Sequence, residues 1–173
     1  MSRGATTRAW RRPEGCGHGA RRTLSTVASI DDVRRLVSLD HALATVTTLR
    51  RNGTLQSTVV NAGVTTHPGT GDDVVAFVVR GGTRKLAHLR DRPVVTLVWR
   101  AGWAWVTVEG TAELCGPDDP LKGVDDETRR LLLRQIYEAA GGEHEDYAEF
   151  DRVMLAERRA AVLVTPNRIY QNP

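Results

Sequence analysis

The sequence has little cysteine, little lysine and no long hydrophobic run. Cys16 and Cys115 are the only cysteines in 173 residues, which excludes a disulfide framework and a four-cysteine zinc site. So few cysteines suit a reducing compartment, and we expect a cytoplasmic protein. No uninterrupted apolar stretch is long enough to cross a bilayer, so a membrane-spanning helix is excluded.

Positive charge is concentrated at the amino terminus. The chain carries 24 basic and 21 acidic residues, a net charge of +3, yet residues 1–28 hold six arginines against Glu14 alone. The rest of the chain is therefore slightly acidic, and the pI of 9.2 gives poor support for a nucleic-acid partner. Glycines and Pro13 interrupt any hydrophobic period here. We predict a disordered basic tail over 1–28 and one folded domain over 29–173.

Hydrophobic periodicity predicts alternating strands and short helices. Asn52-Gly53 is typical of a tight hairpin between the first two strands, and Gly141-Gly142 ends a long amphipathic helix. Strands linked by hairpins favour a mainly β fold with helical inserts, a small antiparallel barrel rather than a doubly wound parallel sheet. The predicted strands are 42–49, 55–62, 74–79, 94–100, 103–114 and 160–165, with 169–170 as a short continuation. The predicted helices are 30–38, 84–90, 126–140 and 146–157.

One strand-to-helix turn has the character of an anion site. Two glycines and Thr83 precede a short helix, whose free amides and dipole favour phosphate or carboxylate. Arg80, Arg84 and Lys85 add positive charge. An ordinary turn with solvated arginines explains the same residues equally well.

Two further strands carry unusual side chains. Trp103 and Trp105 lie on the face of their strand opposite the core, where a planar ligand, a second subunit or a helix of the same chain would cover them.

Gln56, Thr58 and Asn61 are polar residues on a strand otherwise fit for burial. Such groups at a barrel mouth can hold the edge of a heterocycle, although a half-exposed strand is the simpler interpretation.

No set of side chains has the spacing of an acid–base, nucleophilic or metal site. His67, His88 and Cys115 match no known catalytic arrangement. We therefore predict neither catalytic residues nor metal ligands. If the protein is an enzyme, a cofactor must carry the chemistry.

Several segments in order resemble one family. They are Leu43–Val46 with Arg51–Gln56, Thr83–Pro93, Gly102–Trp105 leading into Glu109–Ala112, Gly142–His144 and Pro166–Pro173. From about residue 40 the chain resembles the split β-barrel superfamily named after pyridoxamine 5′-phosphate oxidase. Within it the chain is most similar to the F420-dependent reductases typical of actinobacteria.

The resemblance implies a homodimer with two cofactor sites between the subunits. It implies that Lys85, with Arg84 and Thr83, binds the phosphate and acidic tail of coenzyme F420. Strands 42–46, 56–61 and 77–79, including Val60 and Val78, would line the deazaflavin. Trp103 and Trp105 would reach the cofactor from the partner chain.

The function implied is hydride transfer from reduced deazaflavin to an activated C=C or C=O of a conjugated small molecule. Candidate substrates are a polyketide enone of the tetracycline type, as in antibiotic biosynthesis, a quinone or a tetrapyrrole. Three alternatives stay open: an FMN-dependent oxidase or reductase of the same fold, a non-catalytic protein that binds F420 or haem, and a nucleic-acid-binding barrel in which the arginine-rich tail makes the first contact.

Overall fold

The computed structural model describes residues 28–172 and shows a closed antiparallel barrel. The strands follow one another around it in the order β1-β2-β3-β6-β5-β4. The predicted fold class, mainly β with helical inserts, is confirmed. The strands are β1 Leu43–Leu49, β2 Leu55–Thr66, β3 Asp73–Val79, β4 Val94–Ala101, β5 Ala104–Cys115 and β6 Ala160–Gln171. The helices are α1 Ile30–Val37, α2 Arg84–Asp91, α3 Asp126–Ala139 and α4 Tyr147–Ala156.

The tail prediction for residues 1–27 lies outside the described residues. Ala28, its last residue, is described and buried. No helix within residues 28–172 is both long and apolar enough to cross a membrane.

Two strands are longer than the sequence predicts. β2 continues to Thr66, because Ala62 to Thr66 pair with β3 after the preceding residues have paired with β1. β6 runs without a break through Pro166, where the prediction stops at 165 and resumes at 169. The ladder with β5 shifts register between Glu109 and Gly110, opposite this proline. A bulge tolerates a residue without an N–H group, so the strand can continue.

The barrel interior is the main core. Trp99 is 1% exposed, and its indole Nε1 donates a hydrogen bond to the carbonyl oxygen of Ala62 at 3.1 Å. This bond satisfies the one polar atom of a large buried side chain, so its burial carries no polar penalty. A second core lies outside the barrel, where α3 and α4 cover the outer side of β3 and β6 with Leu132, Ile136 and Phe150.

Local signals fix the helix ends. Asp125 and Asp146 precede α3 and α4, and their carboxylates accept backbone N–H groups of the first turn. Before α1, the carboxylate of Asp32 accepts the backbone N–H of Ser29 at 2.9 Å. α3 is followed by Gly141, whose φ of 76° is left-handed and suits a residue without Cβ.

Candidate functional site

An opening in the barrel wall lies between β2 and β3. Residues 55–61 of β2 pair with β1 on one edge, whereas β3 pairs only with residues 62–66. The last pair is Ala62 with Phe77, and beyond it the two strands separate. Within the described residues, the second edge of β2 over 55–61 has no strand partner. Its free amide and carbonyl groups are available to the polar edge of a bound ring.

α2 begins next to this opening. Thr83 is its N-cap residue, with extended backbone (φ −75°, ψ 152°), and makes no side-chain capping bond. The Thr83 hydroxyl oxygen is buried without a hydrogen-bond partner among the described residues. A buried orphan hydroxyl is costly, so a group that bonds to it is expected. The free amides of the first turn of α2 face an anion favourably.

Gly81 positions this turn. Its N–H donates to the carbonyl oxygen of Glu157 at 3.1 Å. A Cβ at position 81 would lie 2.6 Å from the carbonyl oxygen of Arg158. Only glycine lets the turn approach the segment between α4 and β6 this closely, so the turn before α2 is held against that segment.

Lys85 is the cation of the site. Burial lowers the pKa of Lys85 to about 8, with no opposing contribution from an acidic neighbour. Its Nζ lies 5.5 Å from the centroid of the buried Phe77 ring. The two predicted arginines differ from it: Arg80 faces Glu157, with 3.8 Å between Nε and Oε1, and Arg84 is exposed. A desolvated ammonium without a carboxylate is suited to an external anion.

The predicted polar residues of β2 face two ways. Thr58 is paired with Val46 of β1 and shares its inward face, and its hydroxyl oxygen is buried without a partner among the described residues. Gln56, opposite the buried Thr48, points the same way and is half-buried. Asn61 points outward, and its Nδ2 donates to the carbonyl oxygen of His41 at 2.8 Å. The set predicted from sequence is therefore split between the two faces.

A cavity of about 480 Å³ adjoins the opening on its outer side. Three predicted residues, Val60, Asn61 and Val78, line it. Sequence reasoning missed the opposite wall, which α3 and α4 supply, because the apolar period of those helices indicates only core packing. The missed residues are Ile136, Tyr137, Ala140, His144, Phe150, Val153, Met154 and Arg159, whereas Val59 of β2 lies within the predicted range 56–61.

Trp103 and Trp105 are not part of this opening within one chain, since neither lines its cavity. Trp103 is 92% exposed at the turn between β4 and β5. Trp105 is half-buried and makes an edge contact with Tyr170, with 6.0 Å between ring centroids. On the same face of β5, Thr107 is buried opposite Tyr170, so the face predicted to lie opposite the core is partly covered by Tyr170 of β6.

The remaining histidine and cysteine candidates are buried or hydrogen-bonded to other residues of the fold. His67 is buried, and its Nδ1 accepts the N–H groups of Gly69 and Thr70, both at 3.1 Å. His88 Nδ1 lies 3.1 Å from the hydroxyl oxygen of Thr48. Cys115 ends β5, and burial raises the pKa of its thiol, which disfavours a nucleophilic thiolate.

Residues 30–172 match the sequence profile of the pyridoxamine 5′-phosphate oxidase family. The chain belongs to this family. Its members are oxidoreductases that use flavin-type cofactors, and the resemblance seen in the sequence is confirmed at that level.

Solved structures share the fold of this pyridoxamine 5′-phosphate oxidase family member at low identity. Rv2991, a conserved hypothetical protein of Mycobacterium tuberculosis, is 16% identical with a TM-score of 0.62, covering 88% of this chain and 89% of that one. An F420 reductase is 17% identical with a TM-score of 0.50, covering 76% and 93%. An FMN-binding protein of Nostoc punctiforme, related to pyridoxamine 5′-phosphate oxidase, is 13% identical with a TM-score of 0.52, covering 82% and 80%. These likenesses bear on the fold alone.

Proposed function

We propose that the protein is an F420-dependent reductase that transfers hydride to an activated C=C or C=O of a conjugated small molecule. The observation that carries this proposal is the opening between β2 and β3. Within residues 28–172 it is bordered by a strand edge without a strand partner, two hydroxyls without hydrogen-bond partners and an ammonium without a carboxylate partner. The free strand edge and the hydroxyls match the polar edge of a deazaflavin ring, and the ammonium matches the anionic tail of the cofactor.

The anionic end of the cofactor would bind at the start of α2. Lys85 would supply the charge, Thr83 a hydroxyl and the first turn of α2 its amides. Arg84 is exposed and would meet the acidic tail beyond the phosphate. F420 carries a singly charged phosphodiester, whereas FMN carries a compact dianion that calls for several cations. One desolvated ammonium, with Arg80 turned toward Glu157, favours F420 over FMN.

The ring would lie along the free edge of β2, with Thr58 and Gln56 on one side of that strand and Val60 and Val78 beside the cavity. A reduced deazaflavin bound there supplies a hydride. The chain itself supplies position and exclusion of water, because the cavity walls are mainly apolar. We assign no acid–base residue in this step.

A second copy of the chain would complete the site. Leu43, Val59 and Val94 are exposed on the outward face formed by β1, β2 and β4, at 44%, 62% and 63%. Exposed apolar side chains on one flat sheet face favour a subunit contact. Trp103 and Trp105 would then reach the cofactor from the partner.

Titration of the purified protein with F420 and with FMN tests the cofactor. We expect micromolar or tighter binding of F420, weaker binding of FMN, and oxidation of reduced F420 when an enone or a quinone is added. Tighter binding of FMN would favour the FMN-dependent alternative. Tight F420 binding without turnover on a panel of enones, quinones and tetrapyrroles would favour a non-catalytic carrier. Binding of neither cofactor would overturn the proposal.

A further inference from the structure

A second, larger cavity lies behind the first. It has a volume of about 790 Å³ and is bounded by α1, the start of β1 and the end of α3. We call it the outer chamber, and we call the cavity of about 480 Å³ beside the opening the inner chamber. Asn61, Tyr137 and Ala140 line both chambers. These three residues therefore form the wall between them, and Tyr137 has by far the largest side chain of the three.

The Tyr137 ring is held in this wall by three contacts. It lies over Gly142, where a Cβ would be 2.5 Å from Cζ of the ring. Its hydroxyl donates to the carbonyl oxygen of Glu143 at 3.1 Å. Phe150 packs against its other side, with 5.0 Å between ring centroids. The position of the ring therefore requires glycine at residue 142. Packing on both sides and a hydrogen bond at its hydroxyl hold the Tyr137 side chain in this one orientation.

The inner chamber suits a flat apolar molecule with one hydrogen-bond acceptor. Two of its polar residues have partners: Asn61 donates to His41, and Arg159 contacts Glu157 at 2.7 Å. His144 differs, because its Nδ1 accepts the N–H of Asp146 at 3.1 Å. A neutral imidazole with that bond carries its proton on Nε2. His144 is half-buried and its Nε2 is not a buried, unsatisfied atom among the described residues, so this N–H is accessible to a molecule bound in the chamber.

The outer chamber is polar, but its charged side chains already have partners within the chain. Arg34 contacts Asp31 at 2.7 Å and Asp73 at 2.6 Å. Glu138 accepts the hydroxyl of Tyr147. The chamber therefore favours neutral polar substituents over ionic ones, since an ion would have to compete with these pairs.

We propose that the two chambers form the acceptor-substrate site and that Tyr137 is its specificity-determining residue. A compact fused-ring acceptor occupies the inner chamber, with its carbonyl oxygen at His144 Nε2. Tyr137 blocks a longer linear ring system from reaching into the outer chamber. That the bound molecule accepts a hydride rests on the proposed function. The preference of the chambers for one ring system over another does not depend on the cofactor.

Direct binding of two quinones of different length tests whether Tyr137 separates the two chambers. Tryptophan-fluorescence or calorimetric titration measures Kd for menadione, with two fused rings, and for 1,4-dihydroxyanthraquinone, with three. The variants are Tyr137→Ala, Tyr137→Phe and, as a matched control, Tyr170→Ala. This control removes a tyrosine of β6 that lines neither chamber and that contacts Trp105 and Glu109 instead. Circular dichroism and the melting temperature confirm that each variant is folded.

We expect the wild type to prefer the two-ring quinone. Tyr137→Ala should shift the ratio of the two Kd values toward the three-ring quinone by roughly tenfold, because the chambers merge. Tyr137→Phe should keep the wild-type ratio, since the ring still forms the wall, and so should Tyr170→Ala. An unchanged ratio in folded Tyr137→Ala, an equal shift in Tyr170→Ala, or no binding of either quinone would overturn the inference. Titrating the same variants with F420 distinguishes this failure from a failure of the proposed function.

Discussion

The ammonium of Lys85 lies 5.5 Å from the centre of the Phe77 ring. Phe77 is fully buried and marks the last pair between β2 and β3, so the contact places the cation at the point where the barrel opens. A ring face attracts a cation only weakly compared with a carboxylate. The ammonium is therefore poorly solvated, has no carboxylate partner among the described residues and is open to an anionic ligand.

Replacing Lys85 should remove the main charge contact to the cofactor. We expect Lys85→Gln to weaken F420 binding by about tenfold to a hundredfold, the range for one hydrogen bond to a charged group. Lys122→Gln is the matched control, because Lys122 is the other lysine of the chain and is exposed in the loop before α3. Equal affinity of Lys85→Gln and Lys122→Gln would contradict the anion site at α2.

The same lysine should give a pH-dependent stability. Its pKa is lowered from 10.5 to about 8 in the folded chain, so between these values the unfolded chain binds the proton more strongly. The free energy of unfolding must then rise with pH between about 8 and 10.5. Below pH 8 the charged, buried Lys85 lowers this free energy by its full amount.

Urea unfolding of the wild type and Lys85→Gln at several pH values checks this sign. Near neutral pH the variant should be the more stable of the two, and its advantage should shrink as the pH approaches 10.5. Without added cofactor, Lys122→Gln should show no such trend. A difference between wild type and Lys85→Gln that stays constant with pH would mean that Lys85 is well solvated.

Local patterns predicted most of the elements, whereas long-range pairing decided the rest. The Asn52-Gly53 hairpin and the starts of α3 and α4 depend on nearby residues and could be predicted. The opening could not, because it arises where β2 changes partner at Ala62, and no local signal marks a change of partner. The wall at Tyr137 depends in the same way on packing against Gly142 and Phe150, which helical periodicity reports only as burial.

Gly81 should matter for both stability and binding. In Gly81→Ala the new Cβ would meet the carbonyl oxygen of Arg158 at 2.6 Å, so the start of α2 must move. We expect a loss of about 1–3 kcal/mol in the free energy of unfolding, typical of overpacking, together with weaker F420 binding.

Gly123→Ala separates these two effects. Gly123 has a φ of 81° and open space around it, so alanine there strains the backbone by about 1–3 kcal/mol in the loop before α3. Chemical denaturation should show a loss in both variants, but only Gly81→Ala should bind F420 more weakly. A parallel loss of affinity in Gly123→Ala would attribute the effect to general destabilisation.

Trp103 should act across the subunit boundary. Its side chain is 92% exposed in one chain, while its backbone is held by Asn172, which donates to the Trp103 carbonyl oxygen at 3.0 Å and accepts the N–H of Trp105 at 2.9 Å. An exposed tryptophan on a fixed turn is suited to anchor an interface. We expect Trp103→Ala to leave the melting temperature of the monomer almost unchanged, while the dimer Kd rises by roughly tenfold or more.

Sedimentation velocity over a concentration series measures the dimer Kd. F420 titration of the same samples measures whether the loss of Trp103 also weakens cofactor binding. Leu155→Ala is the control, because Leu155 is 67% exposed on α4 and is also apolar. If Trp103 reaches the cofactor from the partner, dimer and F420 affinity fall together in Trp103→Ala and neither changes in Leu155→Ala. An unchanged dimer Kd with unchanged F420 affinity would show that the β4–β5 turn faces solvent in the assembly, and the site would then have to be completed by the outward face of β1, β2 and β4 without it.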